Sequence, residues 1–387
     1  MSSRVIAARK LIAADEVMEW PRITIDDDGL IVVIESGEPN GGTTTIAPAF
    51  FDVHVHGAAG HDAMEGSREA LERIGEFLAM RGVGHFLATT VTAPVDATLR
   101  ALEGIGSAIE AAPRECSAAR PVGIHLEGPF ISRAKCGVHP TAAIQQPSVE
   151  LFERFQEAAR GHIKLITVAP EIDGAAELVR HAGSKGVRVS LGHSNATAAE
   201  ARTGIAAGAI SATHTFNAMR HLDHREPGIA GVVLDDEDLY AELICDGIHV
   251  APEFVRLWWK AKGPERAILV TDGISATGMG DGEYLLGGLG VTVTGGRCLL
   301  TSNLAAGKET LAGSVLTMDQ AVANLQTFAG AELAAAARAA SRNPARMLGM
   351  AEFGEIAVGQ PATFNIFAAE GQLQRTLLCG REVGESG

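Results

Sequence analysis

The chain has 387 residues, 46% of them hydrophobic and 20% charged, with 47 Asp and Glu against 32 Lys and Arg and a formal net charge of −15. Such a composition supports a sizeable core and excludes a largely disordered chain. The excess of acid argues against nucleic acid or an anionic membrane as partner, since both need a basic face; an anionic substrate stays open wherever cations are local.

No run approaches the ~18 apolar residues that cross a bilayer, and MSSRVIAARKLIAADE carries no apolar stretch of signal-peptide length. A cytoplasmic protein is expected. The five cysteines (Cys116, Cys136, Cys245, Cys298 and Cys379) include no CxxC pair, so the sequence signals neither a zinc ribbon nor a disulfide framework.

Residues 4–47 carry short β-like runs, RVIAARKLIA, ITIDD and LIVVIES, broken by turn-forming DDDG and PNGG. From about residue 50 the pattern becomes an apolar strand followed by a helical period, eight times over: FFDVHV, GHFLATTVT, PVGIHLE, IKLITVAP, VRVSLGH, ISATHTF, AELICDG and AILVTDG. Amphipathic stretches such as REALERIGEFLAMRG lie between them. Eight β-then-α units predict a (β/α)8 TIM-like barrel, with a doubly wound open sheet as the alternative. Residues 280–300 read as a hairpin-like insertion and 314–349 as helices. The tail, GEIAVGQPATFNIF and QLQRTLLCGREV, returns to β alternation. The expected organisation is a barrel over 48–349 and a small β-sandwich domain built from both ends of the chain, 1–47 and 350–387.

Polar residues interrupt the apolar strands in one recurrent place, their C-terminal ends: His54 and His56 after the first, Glu127 after the third, His193 after the fifth, His214 in the sixth and Asp272 after the eighth. Strand C-termini of a barrel converge on the face that carries active sites. A single histidine at such a place reads as a satisfied polar residue. The set offers imidazole nitrogen and carboxylate oxygen donors suited to Zn2+ or Fe2+.

HVH, HLEGPF, SLGHS, THTFNAM, REPG, CDGIHV, LVTDG and TLAGS, in this order and spacing, resemble the N-acetylglucosamine-6-phosphate deacetylases of the amidohydrolase superfamily. The resemblance covers nearly the whole chain. It implies that Glu127, His193 and His214 are the principal metal ligands, and that His54 and His56 hold a second metal with Asp272 beside them. One or two divalent metals per subunit are implied, Zn2+ first, with Fe2+, Co2+, Mn2+ or Cd2+ also accommodated. Asp272 takes the place of the general base and His249 that of the residue contacting the substrate carbonyl. Asn217, Ala218 and Arg225 match phosphate-binding positions; Val138, His139, Leu311, Ala312 and Gly313 match further substrate contacts.

The reaction implied is hydrolysis of the acetamide of N-acetyl-D-glucosamine 6-phosphate to D-glucosamine 6-phosphate and acetate, in a homodimer whose Arg225 reaches the neighbouring site. Deacetylation of another N-acetylated sugar phosphate, such as the galacto epimer, and a metal-free binding protein on the same fold are the alternatives. His61, His85, His162, His181, His221 and His224 match no metal role, Trp258 and Trp259 read as packing, and Cys136 sits in a substrate loop without a signal for a reactive thiol.

Overall fold

In a computed structural model of the chain, residues 3–13, 16–39, 41–111 and 116–384 are described. Eight parallel strands form one sheet in sequence order: β1 Phe50–Val55, β2 Val83–Thr90, β3 Arg120–Glu127, β4 Ile163–Val168, β5 Arg188–Leu191, β6 Ser211–Ala212, β7 Tyr240–Ile244 and β8 Ala267–Val270. Each of the eight apolar runs in the sequence supplies one of them. The sheet closes through the ends of β1 and β8, where Asp272 N–H donates to His54 O (2.9 Å) and His56 N–H to Gly273 O (2.8 Å). The fold is therefore a TIM-like barrel, and the open sheet is excluded.

Burial on both faces explains why the strands read as apolar runs rather than alternations: every residue of β1 and β8 is buried. The crossover helices show the complementary pattern. In α1 (Arg68–Met80), Leu71, Ile74 and Leu78 face inward at helical spacing while Glu69, Glu72, Arg73 and Glu76 face out. Ser67 caps it by accepting from Ala70 N–H. Trp258, in the helix Pro252–Arg266, is fully buried in the barrel core, as a packing residue should be.

Two further sheets stand outside the barrel, the larger joined to it near the start of β2, where Asn365 Nδ2 donates to Gly82 O (2.9 Å). Thr45–Pro48 lies at the centre of a six-stranded sheet, paired in parallel with Lys10–Ile12 and antiparallel with Phe364–Phe367, which continues to Leu373–Leu378 and Arg381–Glu382. Arg4–Ala7, Pro21–Ile25 and Ile31–Ser36 form a three-stranded partner. Between them sits a second core, with Ile6, Leu11, Ile23, Ile31, Ile46, Phe364 and Leu377. Both ends of the chain thus build one small sandwich.

The predicted insertion is an antiparallel three-stranded sheet, Gly282–Leu286, Leu289–Thr294 and Arg297–Leu300, pinned to the barrel where Asp62 Oδ2 accepts from Gly287 N–H (2.7 Å). Helices Met318–Ala329, Leu333–Ala340 and Arg342–Leu348 complete the ring. No helix among the described residues is long and apolar enough to cross a membrane.

One expectation is overturned. Cys116 and Cys379 form a disulfide across 263 residues of sequence, joining the segment before β3 to the turn after Leu373–Leu378. No local spacing signals a pairing between such distant segments. Cys136, Cys245 and Cys298 remain free thiols.

Candidate metal centre and active site

The C-terminal ends of the strands bring six side chains together. Glu127 is central: His193 Nε2 and His214 Nε2 lie 3.2 and 3.1 Å from its Oε1, His54 Nε2 lies 3.3 Å from the same oxygen, and His56 Nε2 lies 3.2 Å from Oε2. Asp272 Oδ1 is 3.3 Å from His54 Nε2 and 3.2 Å from His56 Nε2. All six residues are buried. Two overlapping groups have the spacing to hold a cation, His54–His56–Glu127 and Glu127–His139–His193, sharing the Glu127 carboxylate.

The outer nitrogens reveal how the rings are set. His54 Nδ1 faces Glu242 Oε2 (3.2 Å), His56 Nδ1 faces Thr89 O (3.1 Å) and His193 Nδ1 faces Lys135 O (3.0 Å). All three partners accept only, so each Nδ1 carries the proton and each Nε2 turns a lone pair to the centre. His139 is wired the other way: Thr92 N–H donates to its Nδ1 (3.2 Å), leaving Nε2 as the N–H that points at Glu127 Oε2, 3.4 Å away. It suits a donor to the carboxylate better than a metal ligand.

This donor set fits a divalent cation. His54 Nε2 is buried without a hydrogen-bond partner, although oxygens of Glu127 and Asp272 lie 3.3 Å away. Ligands in a tetrahedron at about 2.0–2.1 Å from zinc lie about 3.3–3.4 Å from one another, which is the separation found between these atoms. The electrostatics agree. Burial pushes the Glu127 carboxyl up, but the imidazoles, His54 foremost, hold it well below the usual range, and Asp272 is brought down to about 2 the same way. Burial pulls His56 down, yet the Asp272 and Glu127 carboxylates beside its Nε2 raise it to about 9, so the two carboxylates favour a positive charge at that nitrogen, whether a proton or a cation in its place. Two ionised carboxylates facing four imidazoles call for positive charge.

The backbone is strained at these positions. His193 (φ 46°), His214 (φ 29°), Ala218 (φ 48°) and Asp272 (φ 51°) adopt left-handed conformations uncommon for non-glycine residues. Such strain concentrates at functional sites, where packing holds side chains in required directions.

Above this cluster lies a cavity of about 230 Å3, lined by His56, Glu127, Val138, His139, His193, His214, Asn217, Ala218, His249, Asp272, Leu311 and Gly313, with Val91, Gly137, Leu286 and Thr310. Three expected site residues do not line it. His54 is buried beneath its floor, Ala312 is packed with Ile274 and Val291, and Arg225 stands on an exposed loop. A larger cavity of about 430 Å3 opens between the barrel and the terminal sheets, beside the disulfide, and is lined by none of the six clustered residues.

Sequence reasoning missed Glu242, Asp246 and His125. Asp246 Oδ2 lies 2.6 Å from His249 Nδ1, and Oδ1 accepts the backbone N–H of Ile248 and His249. His125 stands edge-on to His54, ring centres 4.6 Å apart, with Nε2 2.8 Å from Thr167 Oγ1. Burial and the neighbouring His54 hold His125 neutral.

The model of the amidohydrolase family matches residues 45–383. The chain belongs to the amidohydrolase family. An N-acetylglucosamine-6-phosphate deacetylase of Bacillus subtilis (strain 168) is 36% identical over 338 residues, 87% of this chain and 84% of the relative. An N-acetylgalactosamine-6-phosphate deacetylase of Escherichia coli O157:H7 is 36% identical over 351 residues, 90% of each. Among solved structures, a variant N-acetyl-D-glucosamine-6-phosphate deacetylase of Mycobacterium smegmatis in complex with N-acetyl-D-glucosamine-6-phosphate superposes with a TM-score of 0.91 at 32% identity, covering 99% of both chains. This amidohydrolase is thus an enzyme, its polar cluster where the fold carries active sites.

Proposed function

We propose that the chain is a metal-dependent deacetylase of an N-acetylated sugar phosphate, acting on N-acetyl-D-glucosamine 6-phosphate to release D-glucosamine 6-phosphate and acetate. The observation that carries this reading is the Glu127-centred cluster, in which the facing nitrogens and oxygens of six buried His, Glu and Asp side chains lie 3.1–3.3 Å from their neighbours below a cavity lined by Asn217, Ala218 and His249. Glu127, His193 and His214 would hold the principal metal, and His54, His56 and Asp272, beside the same Glu127 carboxylate, would hold a second. Zinc is the first choice for this nitrogen and carboxylate set.

When bound, a divalent cation there acidifies water and polarises a carbonyl. Asp272, kept ionised by His54 and His56, takes the proton of the attacking water and passes it to the departing amine. Asp246 accepts from His249 Nδ1 and fixes the ring with Nε2 toward the cavity; in its imidazolium form that ring has an Nε2–H to donate to the oxyanion of the tetrahedral intermediate. Val138, His139, Leu311 and Gly313 contact the sugar, with Ala312 holding that loop in place. Asn217 and Ala218 receive the phosphate together with Arg225, whose planar fork suits phosphate oxygens. Arg225 is exposed on its own subunit, which supports a homodimer in which it serves the partner's site. A phosphorylated sugar does not cross a bilayer unaided, which supports a cytoplasmic enzyme.

The galacto epimer is the second reading, favoured by the E. coli O157:H7 relative. Acetate release measured side by side on the two 6-phosphates and on unphosphorylated N-acetylglucosamine tests the reaction and the substrate. The gluco phosphate is expected to be fastest. A faster galacto phosphate would change the substrate assigned, and equal rates on the unphosphorylated sugar would remove the phosphate contacts.

A further inference from the structure

Glu242 does not line the cavity, and nothing in the apolar strand around it accounts for a carboxylate. It lies within β7, with no exposure to solvent, and its Oε1 has no hydrogen-bond partner among the described residues. A buried carboxylate that leaves one oxygen unpaired is costly, and an apolar side chain would suit the strand better. Its other oxygen explains its presence. Oε2 faces His54 Nδ1 at 3.2 Å and accepts the backbone N–H of His214 at 3.3 Å.

We infer that Glu242 is a positioning residue for the metal centre: one carboxylate oxygen fixes His54 with its proton on Nδ1 and ties that ring to the backbone carrying His214. The inference rests on the metal reading above and extends it. Glu242 is no ligand, because it lies behind the His54 ring, against Nδ1, while the ligand atoms gather around Nε2. His54 belongs to one proposed metal position and His214 to the other, so the side chain joins the two. With His54 free to turn or to protonate Nε2, the lone pair facing Glu127 and Asp272 is lost.

The test uses zinc-loaded protein labelled with 15N in histidine. The parent is expected to show a downfield Nδ1–H proton that disappears in His54→Gln. Glu242→Gln keeps an oxygen at the same place but removes the charge, so the signal persists and moves upfield. Glu242→Leu removes the acceptor; the signal is expected to broaden by exchange, and zinc affinity to fall roughly 10–100-fold. An unmoved signal in Glu242→Gln would overturn the inference, even if Glu242→Leu fails to fold; so would unchanged zinc affinity in a folded Glu242→Leu. A parent that takes up no zinc fails the metal reading itself, a result distinct from an unmoved signal in zinc-loaded protein.

Discussion

His193 and His214 hold their Nε2 atoms 3.1 Å apart, with Glu127 Oε1 within 3.2 Å of both. Lone pairs at this distance repel unless a proton or a cation lies between them. His214→Ala is therefore expected to lose the principal metal and to lower acetate release by at least about a thousandfold. Chelation should do the same reversibly in the parent, with zinc restoring activity. Elemental analysis alongside the assay checks it, and full activity in metal-free protein would sink the proposal.

Asp272→Asn should cost about 10²–10⁴ in turnover, the usual contribution of a positioned acid or base. The principal metal should remain, because Glu127, His193 and His214 stay intact, while the second position loses one of its carboxylate donors. Near-parental turnover would assign the proton transfer elsewhere. The paired variant His54→Gln and His56→Asn addresses the second position, where metal content is expected to fall from about two per chain to about one.

Arg225 gives a test of assembly as well as of binding. Arg225→Ala should raise KM by roughly 10–100-fold with kcat less affected, the loss of charge-assisted phosphate hydrogen bonds. Mixing Arg225→Ala and Asp272→Asn subunits should then restore activity, since one site in each hybrid receives both an intact Asp272 and the neighbour's Arg225. No recovery in hybrids shown to form would place Arg225 in its own subunit's site.

The Cys116–Cys379 bond closes a loop of 263 residues. In a loop-closure view such a crosslink stabilises the folded state by about 2–5 kcal/mol. Reductant, or Cys379→Ser, should lower the unfolding midpoint accordingly while leaving acetate release at 25 °C unchanged, because the bond is remote from the ligand cluster. Identical unfolding of oxidised and reduced protein would contradict it.

His85 predicts an acid-sensitive term. Burial, with Arg120 nearby, holds its imidazole down at about 3, while unfolded it protonates near 6.5. Between those values the unfolded chain binds more protons, so stability is fully present above about 6.5 and is lost as pH falls toward 3. His85→Phe, which keeps the stack on Phe353, should flatten that loss. Urea midpoints at pH 7 and pH 4.5 decide the matter; the same drop in parent and variant would rule His85 out.

The barrel was legible because its strands are buried on both faces and read as apolar runs, and the buried polar cluster because a His or Glu at the end of such a run breaks the pattern. What sets the ligands was less legible. Thr89 and Lys135 act through backbone carbonyls, which any residue possesses. The left-handed φ of His193, His214 and Asp272 leaves no mark on residue type, and the disulfide partners lie too far apart for spacing to reveal them. Glu242 was the exception, visible in AELICDG as an acid inside an apolar strand, a signal of the same kind as Glu127 without a strand end to draw attention to it.

The central position of Thr45–Pro48 in the six-stranded sheet has a consequence for synthesis. Its antiparallel neighbour, Phe364–Phe367, is translated more than three hundred residues later. At roughly 5–20 residues per second the ribosome leaves Thr45–Pro48 without that partner for tens of seconds, and the apolar row Ile46, Ala47 and Pro48 stays uncovered while the barrel emerges. A growing chain therefore presents one open edge of Thr45–Pro48 until Phe364–Phe367 has been made.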